Sequence, residues 1–156
     1  MLASKNKKKI LLIEDTLDEL SENGEELENA GFEVIRAGST SKANTSIVNH
    51  NGYFDCVIID LNMSSKRLSS DLAKKTHGGS LTGWIWLYYD ARSKINSKQI
   101  IIYSEFIGEL QEYLQNVSED ELNFYNSTVS IPKTAAVNNS LYLVTQVENL
   151  IGKGNE

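Results

Sequence analysis

The sequence predicts an α/β domain in which an open parallel sheet is covered by helices on both faces. Three short apolar runs, residues 10–13, 57–59 and 100–103, lack the polar alternation of a half-exposed sheet, so they read as strands buried on both sides. Helical periodicities lie between them, and strand and helix alternate through the chain.

After the first strand, Leu17, Leu20, Leu27 and Ala30 recur at helical spacing before Gly31, a natural helix stop. A second strand follows at 32–37, and Ala43, Ile47 and Val48 suggest a second helix. Residues 64–80, after the third strand, fit neither period. They carry Lys66, Arg67, Lys74, Lys75 and His77, end in Gly78 and Gly79, and read as a long basic loop. Trp84, Leu87, Tyr88 and Ala91 mark the next helix, and Ile107, Leu110, Leu114 and Val117 the one after the fourth strand. A weaker strand at 128–131 and a last helix on Leu143, Val147 and Leu150, stopped by Gly152, complete five β-α pairs. No internal repeat or low-complexity linker interrupts them.

The chain has 156 residues, 40% of them hydrophobic and 23% charged, which suits one core-bearing domain. The expected division is a basic lead-in at 1–7, the domain at 8–152 with an insertion at about 64–80, and a tail at 153–156. A formal net charge of -6 argues against general affinity for nucleic acid; Lys5, Lys7, Lys8 and Lys9 form a basic tip that reads as a solvated lead-in or fusion remnant. The single cysteine, Cys56, cannot form an internal disulfide and lies in an apolar run, which suits a reducing compartment. No apolar stretch reaches membrane-spanning length and the first residues form no signal-peptide core, so a cytoplasmic location is expected. The Asn-x-Ser/Thr triplets at Asn44, Asn116, Asn126 and Asn138 are then chance matches.

Ligands of open parallel sheets collect at the carboxyl ends of the strands. Here strand one ends in Glu14 and Asp15, strand three in Asp60 and strand four in Ser104, and strand five runs into Lys133. Asp15 and Asp60, with Glu14 acting through water, could supply the few oxygen ligands that a magnesium ion accepts while it keeps positions open for phosphate oxygens. Asp60 could then act as a nucleophile, with the Lys133 ammonium and the Ser104 hydroxyl stabilising the transferred group. Asp15 with Thr16 could equally serve as a helix cap.

Ile-Leu-Leu-Ile-Glu-Asp at 10–15, Val-Ile-Ile-Asp-Leu-Asn-Met at 57–63, Ile-Ile-Ile-Tyr-Ser at 100–104 and the lysine at 133 together resemble the receiver domain of two-component response regulators, across residues 8–151. The resemblance implies a flavodoxin-like, five-stranded parallel sheet of order 2-1-3-4-5. It makes Asp60 the phosphoacceptor, Glu14 and Asp15 metal-binding acids, Asn62 a ligand through its backbone carbonyl, and Ser104 the switch hydroxyl. Gly83 matches a glycine that opens the third helix. It also implies Mg2+, a histidine kinase or histidine phosphotransfer protein as donor and a downstream protein as recipient, and it allows a homodimer. The expected chain is a phosphoprotein that signals by contacts and is not a conventional enzyme.

Four departures stand out. Ser64 replaces a usual proline, and Pro132 precedes Lys133 where the family places proline after it. Ser130 occupies the position of the switch aromatic, and Glu105 follows Ser104 where a small residue is usual, bringing a carboxylate toward the phosphate position. Slow phosphorylation is one expectation, and a pseudo-receiver that keeps only the fold is the first alternative. An aspartate-nucleophile phosphohydrolase is the second, though it wants an acid where Asn62 stands. The stripe Trp84, Trp86, Tyr88 and Tyr89 is expected to pack under the basic loop. His77 reads as a solvated loop residue, and the basic loop as exposed charge or an anion-holding segment.

Overall fold

The computed structural model describes residues 7–137, 139 and 141–152; Lys5, Asn138 and the 153–156 tail lie outside them. Five strands, β1 (Lys9–Ile13), β2 (Glu33–Ala37), β3 (Cys56–Ile59), β4 (Ile100–Ser104) and β5 (Val129–Pro132), form one parallel sheet in the order β2-β1-β3-β4-β5. Ile13 stands level with Ala37 and Ile59, and Ile59 with Ile102, so the residues after β1 and β3 emerge side by side. Strand order reverses about β1, which places a crevice at the ends of β1 and β3.

The apolar runs split by parity, as a pleated strand requires. Leu11, Ile13, Val57, Ile59, Ile100 and Ile102 face one core, and Ile10, Leu12, Cys56, Ile58, Ile101 and Tyr103 face the other. Helices α1 (Leu17–Asn29) and, last in the chain, Tyr142–Ile151 close the second core through Leu20, Leu27, Leu143, Val144 and Val147. Helix α2 (Thr40–Asn49) adds Ala43 and Ile47 to the first. Leu17 and Val48, read from periodicity as core positions, are 76% and 71% exposed instead, because each sits at the margin of its helix's apolar stripe. Gly31 ends α1 with φ 101°, a left-handed conformation that favours glycine. Cys56 is fully buried, and burial pushes its thiol well above the usual range.

Residues 64–80 are more structured than a loop. Ser69 caps a single turn, α3 (Ser70–Ala73), its Oγ accepting the Leu72 N–H at 3.3 Å, and a 3-10 turn (Lys74–Thr76) continues it. Leu68 and Thr76 are buried, which anchors the segment although its basic side chains stay outside. Helix α4 (Thr82–Trp86) follows and widens into π-helical turns over Leu87–Ala91. After β4, α5 (Ile107–Tyr113) tightens into a 3-10 turn at Leu114–Asn116, where one longer helix was expected.

A further helix, α6 (Glu119–Asn126), then precedes β5, so the final helix is α7 (Tyr142–Ile151). Ser118 caps α6, its Oγ accepting the Glu121 N–H at 3.1 Å. This helix shares the aromatic stripe with the inserted segment, whose Leu68 lies in the same core cluster as Trp84, Trp86 and Tyr88 and whose Leu72 and Ala73 pack against it. Trp84 meets Phe124 and Tyr125 at centroid distances of 5.6 and 5.7 Å and donates its Nε1–H to the buried Glu121 carboxylate at 2.8 Å. Tyr88 and Arg92 both donate to Asp120. Trp86 is buried too and donates to Asn44 Oδ1 at 3.0 Å. The inserted segment also sets Lys75 over the Tyr89 ring at 5.5 Å, and its His77 ring meets Tyr113 at 5.9 Å.

Candidate functional site

The parallel ladder runs one residue past the strands: Glu14 N–H donates to Ala37 O and Asp60 N–H to Ile13 O, each at 3.1 Å. That step fixes the backbone of both acids at the crevice. Asp60 is 7% exposed, and both carboxylate oxygens are engaged. Oδ1 accepts the Leu61 N–H at 2.7 Å, and Oδ2 accepts Lys133 Nζ at 3.1 Å.

Lys133 opens the turn after β5, and its side chain is only 10% exposed. Its ammonium also reaches Glu14 Oε1 and Glu19 Oε1, both at 2.8 Å. Three N–H donors therefore face three carboxylates. Burial, then the charge of Asp60, pushes the Glu14 carboxyl up to about 7, despite the hydrogen bond from Lys133. Burial alone would lower Lys133, but its bonds to Glu14 and Glu19 and the nearby negative charges hold it above the ordinary lysine value. One cation cannot neutralise three anions, and the most buried of them, Glu14, retains the penalty.

Ser104 is fully buried; its Oγ accepts the Phe106 N–H at 3.1 Å and lies 3.4 Å from the Leu61 nitrogen, one residue from Asp60. Glu14, Asp60, Ser104 and Lys133 are thus brought together. Asp15 is at the rim and exposed, its Oδ2 accepting the Ser64 N–H at 3.2 Å; the N-cap of α1 is Thr16, which makes no side-chain capping bond. Asn62 is exposed beside it, and Glu105 is exposed without an ion pair among the described residues. Lys66 and Arg67 line a cleft of about 270 Å3 that includes Asp15, Ser39, Met63 and Ser64.

No described peptide bond is cis, so Pro132 leads into Lys133 through ordinary trans geometry. The Ser130 hydroxyl hydrogen-bonds Tyr125 Oη at 3.0 Å, so α6 brings a ring to the strand position that lacks one. Gly83 donates its N–H to Leu61 O at 2.9 Å, and a β-carbon there would overlap the Asp60 carbonyl oxygen. Only glycine lets α4 lie this close to the end of β3. The sequence reading missed Glu19. It lies within α1, whereas Asp15 precedes the helix, and its pairing with a lysine beyond β5 leaves no local signal in the sequence.

Among the described residues, no three His, Cys, Asp or Glu side chains stand ready to hold a metal ion. The oxygen donors at the rim nevertheless have the chemistry of a hard-cation site. No described helix is long and apolar enough to cross a membrane.

No family model and no curated protein sequence matches the chain. Solved structures do. A response regulator receiver domain protein from Clostridium thermocellum aligns over 92% of this chain and 94% of its own, at 20% identity and a TM-score of 0.57. The response regulator TrrA from Thermotoga maritima, solved in complex with Mg2+ and BeF, aligns over 92% and 98% at 19% identity and TM-score 0.55. The receiver domain of the Francisella response regulator 1452 aligns over 92% and 96% at 18% identity and TM-score 0.55. With its all-parallel sheet in the order 2-1-3-4-5 and helices on both faces, this chain has the CheY-like fold of response regulator receiver domains.

Proposed function

We propose that the chain is a phosphoacceptor receiver: Asp60 takes a phosphoryl group from the phosphohistidine of a histidine kinase or histidine phosphotransfer protein and passes the change to a downstream protein by contact. The observation that supports this reading best is the setting of Asp60. It is a nearly buried carboxylate at the switch point of the sheet, with a lysine ammonium on one oxygen and a backbone N–H on the other.

The Leu61 N–H holds Oδ1 at 2.7 Å and the Lys133 ammonium holds Oδ2 more loosely at 3.1 Å, so we take Oδ2 as the attacking oxygen. As the Oδ2–phosphorus bond forms, the donor's nitrogen–phosphorus bond breaks and the imidazole keeps the electron pair. Lys133 is placed to follow the new phosphoryl oxygens, and the Ser104 hydroxyl can donate to one of them by giving up its present role as acceptor. Gly83 keeps α4 against the Asp60 carbonyl, so a shift there reaches Trp84 and Glu121. Glu14, Asp15, Asp60 and the Asn62 carbonyl are the groups that would hold magnesium, which when bound neutralises charge on the phosphoryl oxygens.

One observation favours a second reading, a pseudo-receiver that only binds partners: the acids are engaged by Lys133 and Ser64, and among the described residues no three His, Cys, Asp or Glu side chains stand ready to hold a metal ion. Intact mass after incubation with acetyl phosphate, with and without magnesium, separates the two. The phosphoacceptor reading expects one metal-dependent phosphoryl adduct in the wild type and none in Asp60→Asn. A folded, magnesium-saturated wild type without an adduct would leave the pseudo-receiver.

A further inference from the structure

Lys133 has all three ammonium hydrogens committed, and its partners differ in how easily they let go. Glu14 is 3% exposed in its side chain and Asp60 9%, whereas Glu19 is 37% exposed. The bonds to Glu14 and Glu19 are each 2.8 Å, shorter than the 3.1 Å to Asp60, so the ammonium is drawn toward the first pair. As a stabilising ion pair the Glu19 contact is worth little, because water screens it. Its consequence falls on the ammonium. To follow a phosphoryl group on Asp60, Lys133 must release one acceptor, and Glu19 is the one that water can replace.

We propose that Glu19 is a positioning residue that restrains Lys133 and thereby slows phosphoryl uptake at Asp60; the inference rests on the reading of Asp60 as the phosphoacceptor. Two effects act together. Glu19 occupies an N–H that a phosphoryl oxygen would otherwise receive, and it adds a negative charge beside a site that must admit an anion. Glu19→Gln removes the charge with almost no change of shape.

The test measures acetyl phosphate uptake by intact mass, in magnesium, for the wild type, Glu19→Gln and Glu22→Gln. Glu22 is exposed on the same helix and serves as a control for net charge. Glu19→Gln is expected to react about two- to fivefold faster at low ionic strength, the span of one exposed ion pair. The gain should shrink as salt rises, since the repulsion is screened. In parallel, nitrogen NMR of the Lys133 ammonium should show slow solvent exchange in the wild type and faster exchange in Glu19→Gln. An unchanged rate, or an equal gain in Glu22→Gln, would overturn the proposal, as would ammonium exchange indifferent to Glu19. If no variant takes up phosphoryl, the reading of Asp60 falls and the restraint on uptake falls with it. Ammonium exchange then still decides whether Glu19 holds Lys133.

Discussion

Gly83→Ala is the substitution for which helix propensity and the structure give opposite answers. Gly83 lies in α4, where alanine should gain up to about 1 kcal/mol. In this fold the added carbon would overlap the Asp60 carbonyl oxygen and stand 3.0 Å from the Asp60 carbonyl carbon and 3.1 Å from Leu61 Cα. All three are backbone atoms of the strand end, so no side chain can swing aside. The helix must withdraw by roughly 1 Å or more to restore ordinary contact. That withdrawal strains the Gly83 N–H to Leu61 O bond and shifts Trp84, which is packed on every side. Overpacking costs about 1–3 kcal/mol, and a weakened buried hydrogen bond adds about 1 kcal/mol. After the propensity gain, the net loss is about 1–3 kcal/mol, or roughly 3–10 °C in melting temperature for a domain of this size. Thermal melts by far-ultraviolet circular dichroism, with urea titrations for the free energy, measure it. An alanine variant as stable as the wild type, or more so, would refute the close approach of α4 to Asp60.

Other substitutions probe the buried polar groups. The Glu14 carboxyl is raised from 4.5 to about 7, so its contribution to stability is fully present below pH 4.5 and is lost as pH rises through about 7. In metal-free buffer the stability difference between Glu14→Gln and the wild type should therefore move in the variant's favour by up to about 3 kcal/mol from pH 4.5 to pH 8. A pH-independent difference would contradict it. Trp84→Phe keeps most of the ring but leaves the buried Glu121 without its indole donor, and urea titration should show a loss of about 1–3 kcal/mol. The Thr82 hydroxyl is buried without a hydrogen-bond partner among the described residues, so Thr82→Val should be neutral or stabilising by about 1 kcal/mol in the same assay.

The central strands were legible because both faces are covered, which writes β1, β3 and β4 as unbroken apolar runs. Strand-end residues were legible for the same reason: the polar residue that ends such a run stands at the edge of the sheet, and Glu14, Asp60, Ser104 and Lys133 do meet there. Helix α6 was not seen, because it meets the core through Phe124 and Tyr125 against Trp84 of α4 and through a buried glutamate, Glu121, instead of an aliphatic stripe. Its one local signal was the capping spacing of Ser118 and Glu121. The inserted segment misled in the opposite sense: its basic residues and lack of either period advertised a loop, while Leu68 and Thr76 are buried and Leu72 and Ala73 pack against the core. Glu19 was hidden because long-range pairing of a helix acid with Lys133 leaves no periodic trace.

The measurement that tests the account most directly is chemical mapping of the phosphoryl group. After incubation with acetyl phosphate and magnesium, borohydride reduction converts an acyl phosphate to a homoserine that peptide mass spectrometry can place. The account predicts that conversion at position 60 alone. Phosphate found instead on His50 or His77, or at no residue while the protein is folded, would contradict it.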